Sequence, residues 1–164
     1  MITEFEEAVR ILNGAGVEFI VIGGVAGVLH GSSRVTLDLD VVYRRTPENI
    51  RRLAEGLKTH KAYLRGAPPG LPFVWDERTI RNGLNFTLIT DFGPLDLLGE
   101  VVGGGTYETL LPRSHDMDGF GVRLRVVNLE TLIRIKRAAG RPKDFEAIAE
   151  LELMLERQRS KPPR

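Results

Sequence analysis

The chain has 164 residues, of which 42% are hydrophobic and 27% are charged, amounts that predict one soluble domain with its own apolar core. The formal net charge of +1 gives no overall attraction to nucleic acid, although a local basic patch is left open. The chain contains no cysteine, which excludes disulfides and thiolate metal sites and fits a cytoplasmic location. We expect no membrane partner, because the amphipathic N-terminus is unlike a signal peptide and no apolar run approaches roughly 20 residues.

A helix, a buried strand and a pair of glycines open the chain. Three apolar residues at helical spacing predict the helix: Phe5, Val9 and Leu12. Thr3 is the expected N-cap of this helix. Residues 17–22 are nearly all apolar, as in a strand that is covered on both faces. Gly23 and Gly24 follow directly and begin a short apolar helical turn that ends near residue 31.

Residues 34–42 read as a second strand that carries two carboxylates, Asp38 and Asp40. Side chains two positions apart in a strand point to the same face, so both carboxylates project together. The neighbouring apolar residues should point the other way, into the core: Leu37, Leu39 and Val41. Two like charges held together repel unless a positive charge lies between them, and a divalent cation commonly fills that role. The pattern therefore predicts a divalent metal site.

The glycine pair supplies a second half for this site. Gly23 and Gly24 have no Cβ, so the backbone can approach a ligand closely. Free N–H groups at a helix N-terminus favour a phosphate, and a phosphate site beside paired carboxylates suits a nucleotide with Mg²⁺ (or Mn²⁺). The pair alone would equally suit a tight strand-to-helix connection. A dinucleotide-binding G-x-G-x-x-G pattern is excluded, because position 22 is not glycine and no acidic residue follows at the required distance.

The middle of the chain predicts a helix, a loop and two short strands. Thr46 as N-cap and Pro47 at the first helical position begin a helix that should run to about residue 58. Residues 66–72 contain three prolines and two glycines and form a loop. Short strands are expected on either side, at residues 62–64 and 73–75.

A hairpin follows, formed by residues 84–90 and 95–101 around a turn at residues 91–94. It places Asp96 inside an apolar strand, where aspartate is disfavoured. This position indicates a third carboxylate with a functional role. The structural alternative is that Asp38 is a turn or cap residue, Asp40 an exposed strand residue and Asp96 a feature of the hairpin.

The last third of the chain should hold a helical turn at residues 107–111, a strand at residues 122–127 and two helices. Asn128 or Thr131 caps the first helix, which runs to about residue 139. The final helix covers residues 142–158, with one apolar face: Phe145, Ile148, Leu151 and Leu155. His115 is expected in a loop, and the tail after residue 159 is expected to fray.

The order strand, Gly-Gly, helix, Asp-x-Asp resembles the nucleotidyltransferase superfamily, which has the polymerase-beta-like fold. The resemblance rests on Gly23, Gly24, Asp38 and Asp40. It implies an α/β fold with a mixed, twisted sheet, helices packed on one side and helices at the C-terminus. Residues 1–127 would form the nucleotidyltransferase core, and residues 128–164 would complete the same domain.

The resemblance also implies an activity. It implies Mg²⁺- or Mn²⁺-dependent transfer of a nucleoside monophosphate from an NTP, with ATP among the candidates, to an acceptor hydroxyl with release of pyrophosphate. The segment GPLDLLGEV resembles the part of the superfamily that carries a third carboxylate. Asp38 and Asp40 would then be metal ligands, and Asp96 would be a ligand and the general base.

The pattern R-x-T-x-D-x-D, with Arg34 and Thr36, resembles small nucleotidyltransferases that include toxins of toxin–antitoxin and abortive-infection systems. In the same subgroup a basic segment before the last helix matches four residues here: Lys136, Arg141, Lys143 and Asp144. Lys136 would reach the nucleotide phosphates, and Asp144 would orient Lys136 or Arg141, or cap the last helix. The alternatives are a loop salt bridge for Arg34 and a solvated basic helix face for the lysines.

Several questions are left open by the sequence. The acceptor could be tRNA, a protein side chain or a small antibiotic, and an antitoxin protein or a second copy of the chain are further candidate partners. A catalytically inactive nucleotide-binding or protein-interaction module of the same fold is the alternative function. His30 is expected to be a packed histidine, and Trp75 and Tyr63 are expected to pack in the core or loop rather than against a base.

Overall fold

The computed structural model describes residues 4–161, so the proposed cap Thr3 and the end of the tail lie outside the described residues. The principal helices are α1 Phe5–Gly14, α2 Gly23–His30, α3 Pro47–Leu57, α4 Glu77–Asn82, α5 Tyr107–Leu110, α6 Leu129–Ala139 and α7 Pro142–Ser160. A 3₁₀ turn covers Leu111–Arg113. The strands are β1 Phe19–Ile22, β2 Leu39–Tyr43, β3 Tyr63–Leu64, β4 Asn85–Thr90, β5 Gly93–Leu98, β6 Glu100–Val101, β7 Gly105–Thr106, β8 Ser114–Gly119 and β9 Val122–Val127.

Seven strands form a mixed sheet in the order β3-β4-β5-β2-β1-β9-β8, and β6 and β7 form a separate two-stranded ribbon. The neighbours β2 and β5 are parallel, as are β1 and β9, and the other paired strands are antiparallel. The register of β2 with β5 places Asp40 directly beside Asp96. The mixed α/β architecture and the hairpin of β4 with β5 are confirmed, and the sheet brings two of the predicted carboxylates together.

The start of β1 and the end of β2 are joined to α3 by one buried side chain. Thr46 caps α3 by accepting a hydrogen bond from the backbone N–H of Asn49, as predicted. The Asn49 side chain is 1% exposed and accepts from the Glu18 N–H at 2.7 Å. It donates to the carbonyls of Glu18 at 3.0 Å and Arg44 at 2.7 Å. These bonds satisfy backbone groups that flank the two central strands.

The C-terminal helices begin and end at the expected residues. Asn128 caps α6, since its Oδ1 accepts from the Thr131 N–H at 2.9 Å, and Gly140 ends the helix in the left-handed conformation. Along α7, Ile148 and Leu151 are buried against the core. Phe145 is 61% exposed, so its predicted place on the buried face is wrong.

The expected strand at residues 34–42 is shorter than predicted. β2 begins at Leu39, since its pairing with β1 ends at Ile22 opposite Asp40 and its pairing with β5 begins with Leu39 beside Leu95. Leu39 and Val41 are fully buried as expected, whereas Leu37 is 54% exposed. Asp38 therefore lies in an irregular segment immediately before the strand rather than inside it.

The loop around residues 66–76 also differs from the prediction. Residues 73–75 form no strand, and the aromatic side chains pack on one another instead: Phe73 on Tyr63 at 5.9 Å and Trp75 on Phe86 at 5.4 Å between ring centroids. The packing role expected for Trp75 and Tyr63 is confirmed. The short helix α4, capped by Asp76, was not predicted.

β8 was not predicted either, and His115 lies in it rather than in a loop. Its sequence, SHDMDG, lacks apolar alternation, but every residue pairs with β9. Two ion pairs reinforce this pairing, Asp116 with Arg125 and Asp118 with Arg123.

Among the described residues, no helix combines the length and the apolar character that a membrane crossing requires.

Candidate active site

Three carboxylates converge at the centre of the sheet. Asp38, Asp40 and Asp96 each present an oxygen, and these three atoms lie within 4.8 Å of one another. The parallel pairing of β2 with β5 places Asp40 beside Asp96. Asp38 precedes Asp40 by two residues and joins the same cluster although it lies before the strand. The predicted convergence is therefore present.

Asp40 lies in this cluster with a strongly shifted pKa. Burial raises the pKa of Asp40 to about 8, with further contributions from the neighbouring carboxylates Asp96 and Asp38. The positive charge of Lys136 acts in the opposite direction. Asp40 Oδ1 is buried and has no hydrogen-bond partner among residues 4–161. A buried carboxylate oxygen without a partner, next to two further carboxylates, fits an oxygen-binding divalent cation.

The glycine pair at the start of α2 is packed against the same cluster. Gly23 has a φ of +67°, and a Cβ at this position would overlap the Asp40 carboxylate. A Cβ on Gly24 would lie 2.7 Å from the Cβ of Thr36. Both positions therefore exclude larger residues, so the first N–H groups of α2 can lie beside the carboxylates.

One open cavity of about 760 Å³ contains the whole set of sequence-predicted site residues. These are Gly23, Gly24, Arg34, Thr36, Asp38, Asp40, Asp96, Lys136, Arg141, Lys143 and Asp144. Burial lowers the pKa of Lys136, and the charges of Asp144 and Asp40 partly oppose that effect. A half-buried cation that lines the same cavity as three carboxylates gives the cavity charges of both signs.

Arg34, Arg141 and Asp144 make local ion pairs. Arg34 lies 3.5 Å from Glu146, which corresponds to the loop salt bridge considered as its alternative. Asp144 is buried; its Oδ2 accepts from Arg141 Nε at 2.8 Å and from the Arg141 backbone N–H at 3.2 Å. Burial alone would raise the pKa of Asp144, but the hydrogen bonds and charge of Arg141 hold it below its ordinary value. Asp144 thus caps α7 and orients Arg141.

The segment before β2 is attached to α7 by a second set of contacts. Ser32 donates to one oxygen of Glu150, and Ser33 donates to the other at 2.9 Å. Farther along this segment, Val35 is 90% exposed and borders the cavity together with Leu37. On the other side of the cavity Val102 is 74% exposed. The cavity therefore has an apolar rim as well as a charged floor.

Arg65 is a site residue that sequence reasoning missed. It follows β3, and its Nη2 donates to Asp96 Oδ1 at 2.8 Å. Its Nη1 lies 3.8 Å from Asp38 Oδ2. The sequence gives little indication of this role, since only the register of β3, β4 and β5 places residue 65 in line with Asp96.

His30, in contrast, is packed as predicted, with Nε2 at 2.8 Å from the Val127 carbonyl oxygen.

Comparisons with known proteins give one informative result. Neither a protein-family model nor a curated protein sequence matches the chain. Among solved structures, the chain is similar to the lincosamide antibiotic adenylyltransferase LnuA in its lincomycin-bound crystal structure, with a TM-score of 0.61 and 14% identity. The similarity covers 93% of this chain and 98% of that one. Together with the mixed sheet and the C-terminal helices, it shows that the chain has the nucleotidyltransferase fold.

Proposed function

We propose that the protein is a divalent-metal-dependent nucleotidyltransferase that moves a nucleoside monophosphate from an NTP to an acceptor hydroxyl and releases pyrophosphate. The observation that carries this proposal is the cluster of Asp38, Asp40 and Asp96 beside the start of α2, within one cavity of a nucleotidyltransferase fold. Asp40 Oδ1, buried and without a partner among residues 4–161, supports a cation at this place.

Asp38, Asp40 and Asp96 would hold Mg²⁺ or Mn²⁺, ions that prefer carboxylate oxygens. Bound there, a divalent cation would neutralise triphosphate charge and favour departure of pyrophosphate. Lys136 has a stem that is half-buried and a charge that acts on Asp40, so it would contact a nucleotide phosphate. The N–H groups at Gly23 and Gly24 would bind a second phosphate at the start of α2.

In the transfer step the acceptor oxygen forms a bond to the α-phosphorus, and the bond between that phosphorus and the pyrophosphate oxygen breaks. The acceptor loses its hydroxyl proton, and Asp96 would accept it as general base. Arg65 holds one oxygen of Asp96, and this contact fixes the orientation of the carboxylate that would take the proton. Arg34, Thr36, Arg141 and Lys143 line the remainder of the cavity and would shape the nucleotide pocket.

For the acceptor we propose a small hydroxyl-bearing molecule with an apolar part. Val35 and Leu37 on one side and Leu98 and Val102 on the other give the cavity an apolar rim. The described residues of the β5–β6 wall include Glu100 and no cation, which disfavours a polyanionic acceptor. One structural neighbour, LnuA, is a lincosamide antibiotic adenylyltransferase. Transfer to tRNA or to a protein, as in the toxin interpretation, is the competing outcome.

The test incubates the protein with each of the four α-labelled NTPs and Mg²⁺ or Mn²⁺. Hydroxyl-bearing small molecules, tRNA or protein are supplied as acceptors, and labelled product and pyrophosphate are measured. We expect metal-dependent label transfer that Asp38→Asn and Asp96→Asn abolish. Asp118→Asn is the matched control, since this carboxylate is exposed on β8, far along the sheet from the cluster.

Two other outcomes are informative. Nucleotide binding without transfer to any acceptor would favour the inactive nucleotide-binding module. Neither binding nor transfer with any of the four NTPs would reject both interpretations.

A further inference from the structure

The guanidinium group of Arg65 is fixed in place by the backbone of β4. The Arg65 N–H donates to the Thr87 carbonyl at 3.0 Å. Its side-chain Nε and Nη2 both donate to the Leu88 carbonyl, at 3.2 and 2.8 Å. The side chain is 28% exposed. A planar group held to one carbonyl by two donors has little freedom to move.

The fixed guanidinium spans two members of the carboxylate cluster. Nη2 donates to Asp96 Oδ1 at 2.8 Å, and Nη1 lies 3.8 Å from Asp38 Oδ2. Asp96 on β5 pairs with Thr87 on β4, and the Thr87 carbonyl accepts a hydrogen bond from the Arg65 backbone N–H. The three residues therefore lie in one row across the sheet. Arg65 is therefore a permanent positive charge at the place where a cation is expected to bind.

We propose that Arg65 is a positioning residue that acts as the resident counter-cation of the carboxylate cluster. It holds Asp96 by Oδ1, which fixes the orientation of this carboxylate for the transfer step, and it weakens the binding of free divalent cations. This inference rests on the proposed function and extends it. Free metal ions bind weakly because Arg65 already neutralises part of the negative charge of the cluster. The metal therefore enters the site together with a nucleotide, whose triphosphate adds negative charge.

The two roles predict that removal of the Arg65 charge strengthens Mn²⁺ binding and slows pyrophosphate release. Arg65→Met leaves the cluster more negative, so Mn²⁺ alone should bind roughly tenfold more tightly, as expected for one charge removed near a doubly charged ion in a partly screened site. Asp96 loses its fixed orientation at the same time, and pyrophosphate release should fall about 10- to 100-fold. A residue that only supported the fold would weaken both properties together.

The experiment titrates the nucleotide-free protein with Mn²⁺ and measures free Mn²⁺ by electron paramagnetic resonance. Pyrophosphate release is measured in parallel. Arg65→Lys keeps the positive charge but lacks the planar guanidinium that holds Asp96. Its Mn²⁺ affinity should therefore stay within about twofold of the parent while turnover falls. Arg44→Met is the matched control: Arg44 pairs with Glu18 and Glu108, away from the cluster, and its loss should leave the Mn²⁺ affinity unchanged.

Unchanged or weaker Mn²⁺ binding in folded Arg65→Met would overturn the proposal. If Arg65→Met does not fold, the Arg65→Lys variant tests the proposal instead. A parallel fall of Mn²⁺ affinity and turnover in Arg65→Lys would leave Arg65 with only a structural role and overturn the proposal. The proposed function fails separately: a parent protein that binds Mn²⁺ but transfers no nucleotide contradicts nucleotidyl transfer and leaves the metal titration of the Arg65 variants valid.

Discussion

Asp40 connects the fold to ligand binding through its protonation state. It lies on a central strand of the sheet, beside Asp96, and the cost of desolvating its charge is what raises its pKa most. In the absence of a cation, the raised pKa favours the protonated form of Asp40 in the folded protein. A cation that displaces this proton would therefore bind more tightly as the pH rises.

The raised pKa of Asp40 predicts a pH-dependent stability of the metal-free protein. The folded pKa is about 8, above the ordinary value of 3.8, so folding takes up a proton between these values. The contribution of Asp40 to the free energy of unfolding is then fully present below about pH 4 and is lost as the pH rises through about 8. Urea unfolding with a chelator, at several pH values up to about 8.5, measures this loss.

Asp40→Asn is the comparison for that measurement, because it keeps the shape and removes the titration. The stability of the parent relative to this variant should decline with rising pH. A difference that stays constant from about pH 5 to about pH 8.5 would show that Asp40 does not titrate as described.

A second prediction at the scale of single residues concerns Lys136. Burial lowers its pKa and Asp40 lies within range of its charge, so the ammonium group acts on the carboxylate cluster. Lys136→Met keeps the stem and removes the charge. Folding should survive, while NTP affinity in the presence of Mg²⁺ falls by roughly 1.5–3 kcal/mol, the scale of a charge-assisted hydrogen bond. Calorimetric titration checks this value, and equal affinities would remove Lys136 from the nucleotide site.

At the residue scale the sequence is informative where a residue is unusual for its place. Asp40 and Asp96 could be recognised because carboxylates are disfavoured in apolar strands. Asp38 could be recognised because it lies two positions before Asp40 and two like charges so close repel. Arg65 could not, since an arginine after a short strand is ordinary. Its role depends on the register of β3 and β4, which side-chain types do not fix.

At the scale of elements, the connection from β1 to α2 is the most constrained part of the site. Gly23 has a positive φ and its Cα faces the Asp40 carboxylate, so any side chain there is strained and overlaps the cluster. Gly24 is packed as closely against Thr36. The turn therefore requires glycine at both positions, at Gly23 for a conformational and a steric reason and at Gly24 for a steric reason.

Gly23→Ala should lower the free energy of unfolding by about 1–2 kcal/mol from the left-handed backbone alone, with a further loss where Asp40 is displaced. Binding of Mn²⁺ should weaken, because the displaced carboxylate is a proposed ligand. Gly14→Ala is the control, since a Cβ there meets nothing within 4 Å at the end of α1. Its stability should change by no more than about 0.5 kcal/mol. Thermal unfolding with and without Mn²⁺ measures both, and two equally stable variants would contradict the account of the turn.

The elements that were mispredicted lack a local signal. Residues 34–38 alternate like a strand, but the pairing of β1 with β2 stops at Ile22 opposite Asp40, and tertiary structure overrides the pattern. β8 shows the reverse case, because its polar sequence gives no strand pattern and cross-strand pairing with β9 forms it. Residues with strong caps, such as Thr46 and Asn128, were placed correctly, since capping is a short-range interaction.

At the scale of the whole molecule, the sheet order explains why distant segments form one cavity. The pairing of β2 with β5 joins carboxylates that are 56 positions apart in the chain, Asp40 and Asp96. α6 packs on α2 and α7 on α6, which brings Lys136 and Arg141 to the same cavity. That residues 128–164 complete the domain formed by residues 1–127 stays a prediction. The fold class could be predicted from the motif order, whereas the strand order could not.

The central claim is that Asp38, Asp40 and Asp96 together bind a divalent cation that holds a nucleotide. The most direct measurement is a crystal structure with Mn²⁺ and a non-hydrolysable NTP, in which anomalous scattering locates the metal. We expect an anomalous peak within about 2.0–2.6 Å of oxygens from these three residues, with the triphosphate between the start of α2 and Lys136. A nucleotide bound outside this cavity, or Mn²⁺ that avoids all three carboxylates, would contradict the account.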